Sequence, residues 1–143
     1  MSKSISVKTR RLVVERARGL CEYCRTPERY STVSFAVEHI VPQSNGGESS
    51  LENLALSCQE CNNHKYTKTH VYDATAGDSI PLFHPRQHRW STHFMWNDDF
   101  TLLVGVSPIG RATIETLQLN RSGVVNLRRV LFTANEHPPA DES

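Results

Sequence analysis

No apolar run in the 143-residue sequence approaches the roughly 20 residues that a membrane-spanning helix requires, and this argues against insertion in a bilayer. No apolar segment stands behind the charged N-terminal stretch MSKSISVKTRR, so nothing marks the chain for secretion and a cytoplasmic, reducing compartment is the expectation. Net charge is nearly absent too: 16 Lys and Arg against 15 Asp and Glu give +1, which supplies no overall pull on a polyanion. The basic residues are instead grouped, with Lys8, Arg10, Arg11, Arg16 and Arg18 near the start, then Lys65 and Lys68, Arg86 and Arg89, and Arg111, Arg121, Arg128 and Arg129. Phosphate contacts depend on such local fields, although a solvated charged face is the competing reading of each group. There is no internal repeat. The length suits one domain, or one domain with an appended half-domain.

Cysteine is scarce, and its placement is informative. The four cysteines form two C-x-x-C pairs, Cys21/Cys24 and Cys58/Cys61, with none left over. Two residues between thiolates let both reach one ion, and two such pairs complete the four tetrahedral ligands of a structural Zn2+. Disulfides are disfavoured in a reducing compartment. Four free thiols, or a redox pair, are the rival readings, and a redox motif would explain one pair but not two. A closed four-thiolate site has no open position, so this zinc should fasten the fold and leave chemistry to the 33 residues between Cys24 and Cys58 and those just after.

Along the chain, Leu12, Val13, Arg16 and Ala17 predict a helix over 8–18, ended by Gly19. Val33, Phe35 and Val37 alternate with smaller or polar residues, predicting a half-buried strand over 31–41 that Pro42 ends. QSNGGESS reads as a loop, and CNNHKYTKTH from Cys61 as a short helix. Segment 71–92 has little periodicity and reads as an ordered connection over the surface. His93–Val106 predicts a hairpin turning at Asn97-Asp98-Asp99. Two short helices should follow, one using Ala112, Ile114, Leu117 and Leu119, the other Val124, Val125, Leu127, Val130 and Leu131. The polar, proline-containing end, ANEHPPADES, reads as frayed.

Glu38-His39-Ile40-Val41-Pro42, then Gly46-Gly47, Asn53-Leu54, Cys58/Cys61 and Asn62-Asn63-His64-Lys65 stand in an order that resembles the HNH endonuclease family, also called ββα-metal or His-Me finger nucleases. The resemblance covers 21 to about 68. More loosely, PRQHRW, HFMW and GRATIETLQLNR resemble an extension carried by a subset of bacterial HNH proteins. It implies an α+β fold: a ββα-metal core over 1–70 stapled by the zinc site, a hairpin and two-helix extension over 71–135, and a tail over 136–143.

The resemblance further implies an endonuclease that hydrolyses DNA phosphodiesters. His39 would be the general base. Glu38 and Asn62 would hold one catalytic cation, Mg2+ or Mn2+, with Ni2+ or Co2+ as alternatives. Asn53 would bond backbone near His39 and aim the imidazole. Lys65, one helical turn from Asn62, would contact a flanking phosphate, with Arg86 and Arg89 adding further nucleic-acid contacts.

Three features of the sequence complicate this. Glu38 stands where the family more often has Asp. His64 competes with Asn62 as the third motif residue, and on a helix two residues apart differ by about 200°, so both cannot readily serve one ion; Asn62, directly after the cysteine, is preferred. Glu38 and His39 are neighbours on a strand and would face opposite sides unless the strand is irregular. The plainer readings are a packed strand-end histidine for His39, a cap for Asn53 and a solvated Lys65. Trp90, Phe94 and Trp96 suit core packing better than base stacking. A zinc-stapled nucleic-acid-binding module without cleavage is the alternative function. Oligomeric state stays open.

Overall fold

The computed structural model describes residues 5–140. α1 (Val7–Arg16) is opened by the Ser6 hydroxyl, which accepts a hydrogen bond from the Thr9 amide at 3.1 Å. It buries Val13 and Ala17 and leaves Leu12 exposed. Arg18 and Gly19 follow in left-handed conformation and turn the chain into the first cysteine pair.

The strand expected over 31–41 is shorter. β1 (Ala36–His39) pairs antiparallel with β2 (Leu54–Ser57), Glu38 opposite Ala55 and His39 opposite Leu54. Phe35 is buried but Val33 is exposed, so the alternation seen in the sequence does not carry the strand back to Ser31. β2 is buried along its whole length and leads through Cys58 into α2 (Gln59–Lys65). A hairpin thus lies between the cysteine pairs and a helix opens on the second pair, consistent with a ββα module.

Segment 71–92 is more regular than its composition suggested. β3 (His70–Asp73) and β4 (Asp78–Pro81) form a hairpin, and α3 (Trp90–His93) is a single turn. β3 and β4 are mostly exposed, so neither needs the apolar alternation by which a strand is read from sequence. The next hairpin, β5 (Phe94–Trp96) with β6 (Leu103–Gly105), forms where it was expected. α4 (Pro108–Leu117) packs on β6, α2 and β4, and α5 (Ser122–Thr133) closes the fold.

Two expectations need correcting. On α5 the buried residues are Val124, Arg128 and Leu131, whereas Val130 is 63% exposed; an arginine occupies the inner face that periodicity alone gave to valine. The tail is docked as far as Ala140: His137 is buried, its ring lies 4.6 Å from that of Trp96, and its Nε2 lies 2.7 Å from the Phe100 carbonyl. Residues 141–143 of the expected frayed end lie outside the described residues. One core runs through both halves, joining Val13, Tyr23, Leu54 and Leu56 to Phe83, Trp90, Phe94 and Leu117. The tryptophans and Phe94 belong to this packing. No helix among the described residues is long and apolar enough to cross a membrane.

Candidate active site and metal centre

The first cysteine pair sits in a tight turn. The Cys21 amide donates to the Thr26 carbonyl, the Arg25 amide to that of Cys21, and Arg25 itself has a left-handed φ of 66°. The second pair opens α2, where the Cys58 sulfur accepts from the Cys61 amide at 3.4 Å. All four Sγ atoms are buried and lie within 4.8 Å of one another. Cys24 and Cys58 are 3.8 Å apart at sulfur, the edge of a tetrahedron with Zn–S bonds of about 2.3 Å and far beyond a disulfide bond. The donor set and spacing fit a structural Zn2+.

An unexpected residue completes this centre. Arg121, at the start of α5, donates from Nη2 to Cys58 Sγ at 3.2 Å and from Nη1 to Cys61 Sγ at 3.4 Å, while its Nε lies 2.6 Å from a Glu60 carboxylate oxygen. Burial alone would lower its pKa, but the Cys61 and Cys24 sulfurs outweigh that and push it up. Arg128 is buried and donates to the carbonyls of Thr101, Leu119 and Cys24. Both arginines had been read with the basic surface groups; nothing in local sequence distinguishes a cation turned inward by a distant cysteine turn.

His39 lies at the end of β1, half-exposed, with its Nε2 2.8 Å from the Ser49 hydroxyl. Partial burial lowers its pKa below 6.5, so the neutral ring predominates at cellular pH. The loop behind it is pinned by Asn53. The Asn53 Oδ1 accepts the Val41 amide at 2.8 Å, and its Nδ2 donates to the carbonyls of Val41 and Glu48 at 3.0 and 2.8 Å. The glycine pair serves the same loop. Gly46 has a φ of 88°, and a Cβ on Gly47 would fall 1.8 Å from the Val41 carbonyl oxygen and 2.8 Å from Asn53 Nδ2.

Glu38 points the other way, as neighbouring positions on a regular strand do. Its side chain is only 4% exposed, takes a short hydrogen bond from the Tyr23 hydroxyl, and lies 3.5 Å from the Lys65 ammonium. Burial pushes the Glu38 carboxyl up, against the opposing pull of Lys65 and Tyr23. The Lys65 Nζ also donates to the Ile40 carbonyl at 2.9 Å. Lys65 is 1% exposed, which corrects the expectation of a phosphate contact: its ammonium is consumed in neutralising Glu38.

Asn62 is half-buried and His64 exposed on α2. Among the described residues the four cysteines are the only group of three or more His, Cys, Asp or Glu side chains gathered as metal ligands would be. Glu38, expected to share one catalytic cation with Asn62, already pairs with Lys65. A divalent ion at Glu38 would meet the Lys65 ammonium, and Glu38 and His39 open to different sides. Arg86 pairs with Glu22, and Arg89 is exposed beside it.

No match to the chain was found among curated proteins or among solved structures. Residues 21–68, from the first zinc cysteine to just past α2, match the family model described as HNH endonuclease, and the chain therefore carries an HNH endonuclease domain over those residues.

Proposed function

We propose that the chain is an endonuclease that hydrolyses phosphodiester bonds in DNA, with His39 as general base. The observation that carries this reading is a half-exposed imidazole at a strand end, inside the family match, on a loop locked by three hydrogen bonds to one asparagine. His39 takes a proton from water, the water oxygen forms a bond to phosphorus, and the bond to the leaving sugar oxygen breaks as that oxygen is protonated from solvent. Ser49 holds the ring in place at Nε2, and Asn53 fixes the backbone behind it. Placement of this kind is what general-base catalysis requires and supplies roughly 100- to 10,000-fold in rate.

The Mg2+ or Mn2+ that the family reading brings would neutralise charge on the scissile phosphate. Glu38, paired with Lys65, takes no part in this proton transfer. The inward turn of Glu38 is the observation that favours the second reading, a zinc-stapled nucleic-acid-binding module without cleavage. A nicking assay on supercoiled, linear and single-stranded DNA with Mg2+, Mn2+, Ni2+ or Co2+ separates the two. The nuclease reading expects nicking by the wild type, a loss of at least about 100-fold in His39→Ala, and DNA affinity retained. No cleavage of any substrate with any ion would select the binding module.

A further inference from the structure

Outside the candidate active site, a cavity of 170 Å³ lies at the free edge of β2, between the end of α1, the first cysteine turn and the Pro85–Trp90 segment. Arg16, Arg25, Arg86 and Arg89 line it, and Glu22 is the one carboxylate among its walls. Several of these groups are fixed in place. The Glu22 amide donates to the Leu56 carbonyl, its carboxylate accepts the Leu56 amide at 2.8 Å and also takes Arg86 Nη2. Arg16 donates to the carbonyls of Leu51 and Leu54 at 2.8 and 2.7 Å. The Arg25 guanidinium lies 4.8 Å above the Trp90 ring.

Charge here does not balance as it does elsewhere. Arg10 is matched by Glu28, Arg29 by Glu136 and Arg121 by Glu60, but in this cavity four guanidiniums face one carboxylate. Burial and then the charge of Arg86 lower the pKa of Arg16, against the opposing pull of Glu22 and Glu52, and burial pushes that of Arg25 down to about 10. Three donors of its lining residues, Arg86 Nη1, Arg25 Nε and Trp90 Nε1, are also buried with no hydrogen-bond partner, as are Arg121 Nε and Arg128 Nε beside the cysteine cluster. A buried donor without an acceptor costs about 1–3 kcal/mol, more when charged. Like charges held together with idle donors suit an oxyanion with several lone pairs, and planar guanidinium forks match phosphate geometry.

We propose that this cavity is a binding site for one phosphate group of the DNA backbone, with Arg86 Nη1 and Arg89 as its principal donors. The assignment to DNA, as opposed to free phosphate, rests on the nuclease reading. The Pro85–Trp90 segment places the site beside the domain: Phe83 and His88 line this cavity and also a second cleft, whose other wall includes Ile40 and Val41, immediately after His39. The arginine cavity and that cleft thus share the wall formed by Phe83 and His88.

The test uses full-length, zinc-loaded protein and a 20-base-pair duplex, with affinity measured across a salt series. Each lost phosphate contact lowers the slope of log affinity against log salt by about 1. Arg89→Ala, an exposed position, and Arg86→Gln should each show that reduction, and inorganic phosphate should quench Trp90 fluorescence in the wild type but much less in Arg86→Gln. If Arg86→Gln fails to fold, Arg89→Ala decides alone. An unchanged slope in a folded Arg89→Ala variant overturns the assignment to DNA even if inorganic phosphate binds. Binding of an acidic peptide in place of phosphate overturns it as well. His39→Ala should leave the slope intact, so a protein that never cleaves yet loses slope in Arg89→Ala keeps this site while the nuclease reading fails.

Discussion

The arginines beside the thiolate cluster and those around the 170 Å³ cavity are the same side chain in opposite circumstances. At the cluster, Arg121 has two sulfurs and a carboxylate, and Arg128 spends its guanidinium on carbonyls from the cysteine turn, the β5–β6 hairpin and the end of α4. At the cavity, four guanidiniums share one Glu22; buried N–H groups without a hydrogen-bond partner occur in both places, Arg25 Nε and Arg86 Nη1 here and Arg121 Nε and Arg128 Nε at the cluster, so the difference lies in how many acceptors each guanidinium has. Guanidiniums supplied with several acceptors hold two halves of a molecule together, and a surplus of guanidiniums over carboxylates is available to something outside it. Charge composition does not tell these apart; the acceptors do.

Removing the metal should break the contrast most severely. Structural Zn2+ contributes about 10–16 kcal/mol of binding free energy in small zinc folds. Because Arg121 and Arg128 bind the extension to the cysteine turns, chelation or Cys58→Ser should abolish one common melting transition, followed by calorimetry. A sharp transition surviving for residues beyond 70 would show that the extension stands without the cluster. Next in size is Lys65, buried and paired: Lys65→Ala leaves the buried Glu38 carboxylate without its counter-ion, with only the Tyr23 hydroxyl as partner, and should cost about 3–5 kcal/mol in denaturant unfolding. The same variant should keep the wild-type salt slope for DNA. A stable Lys65→Ala with a reduced slope would return this residue to the surface role its position in the sequence suggested.

Arg121→Ala is the smallest and most local change. Loss of groups that orient metal ligands typically lowers metal affinity 10- to 100-fold, and a competition titration with a chromophoric chelator would read that shift. Zinc affinity unchanged in a folded Arg121→Ala variant would reduce the contact to a simple bridge between α5 and Glu60.

The zinc cluster was legible in the sequence because its chemistry depends on spacing, and C-x-x-C spacing is local. The Asn53 clamp, whose partner Val41 lies 12 residues away, was expected only from the family resemblance, and Gly46-Gly47 was read simply as a loop. What failed to show was whatever depends on which way a side chain turns. Glu38 and Lys65 carry charges that composition assigns to the surface, but β1 and α2 turn them toward each other beneath Tyr23. Arg121 and Arg128 find their acceptors some 60 and 100 residues earlier in the chain, beyond the reach of any local pattern. The β3–β4 hairpin escaped because both strands are largely solvent-exposed and show no apolar face.

The central claim is that the His39 imidazole, held neutral by partial burial, accepts the proton of the attacking water. A general base must be unprotonated, so the nicking rate should fall as pH drops through the His39 pKa and level off above it. The direct measurement is single-turnover nicking from pH 5 to 9 on wild type and His39→Ala. The account predicts a wild-type rate that rises to a plateau with an apparent pKa below 6.5, absent from the residual activity of the variant. A rate still climbing tenfold per pH unit between 7 and 9, or the same profile in both proteins, would contradict it.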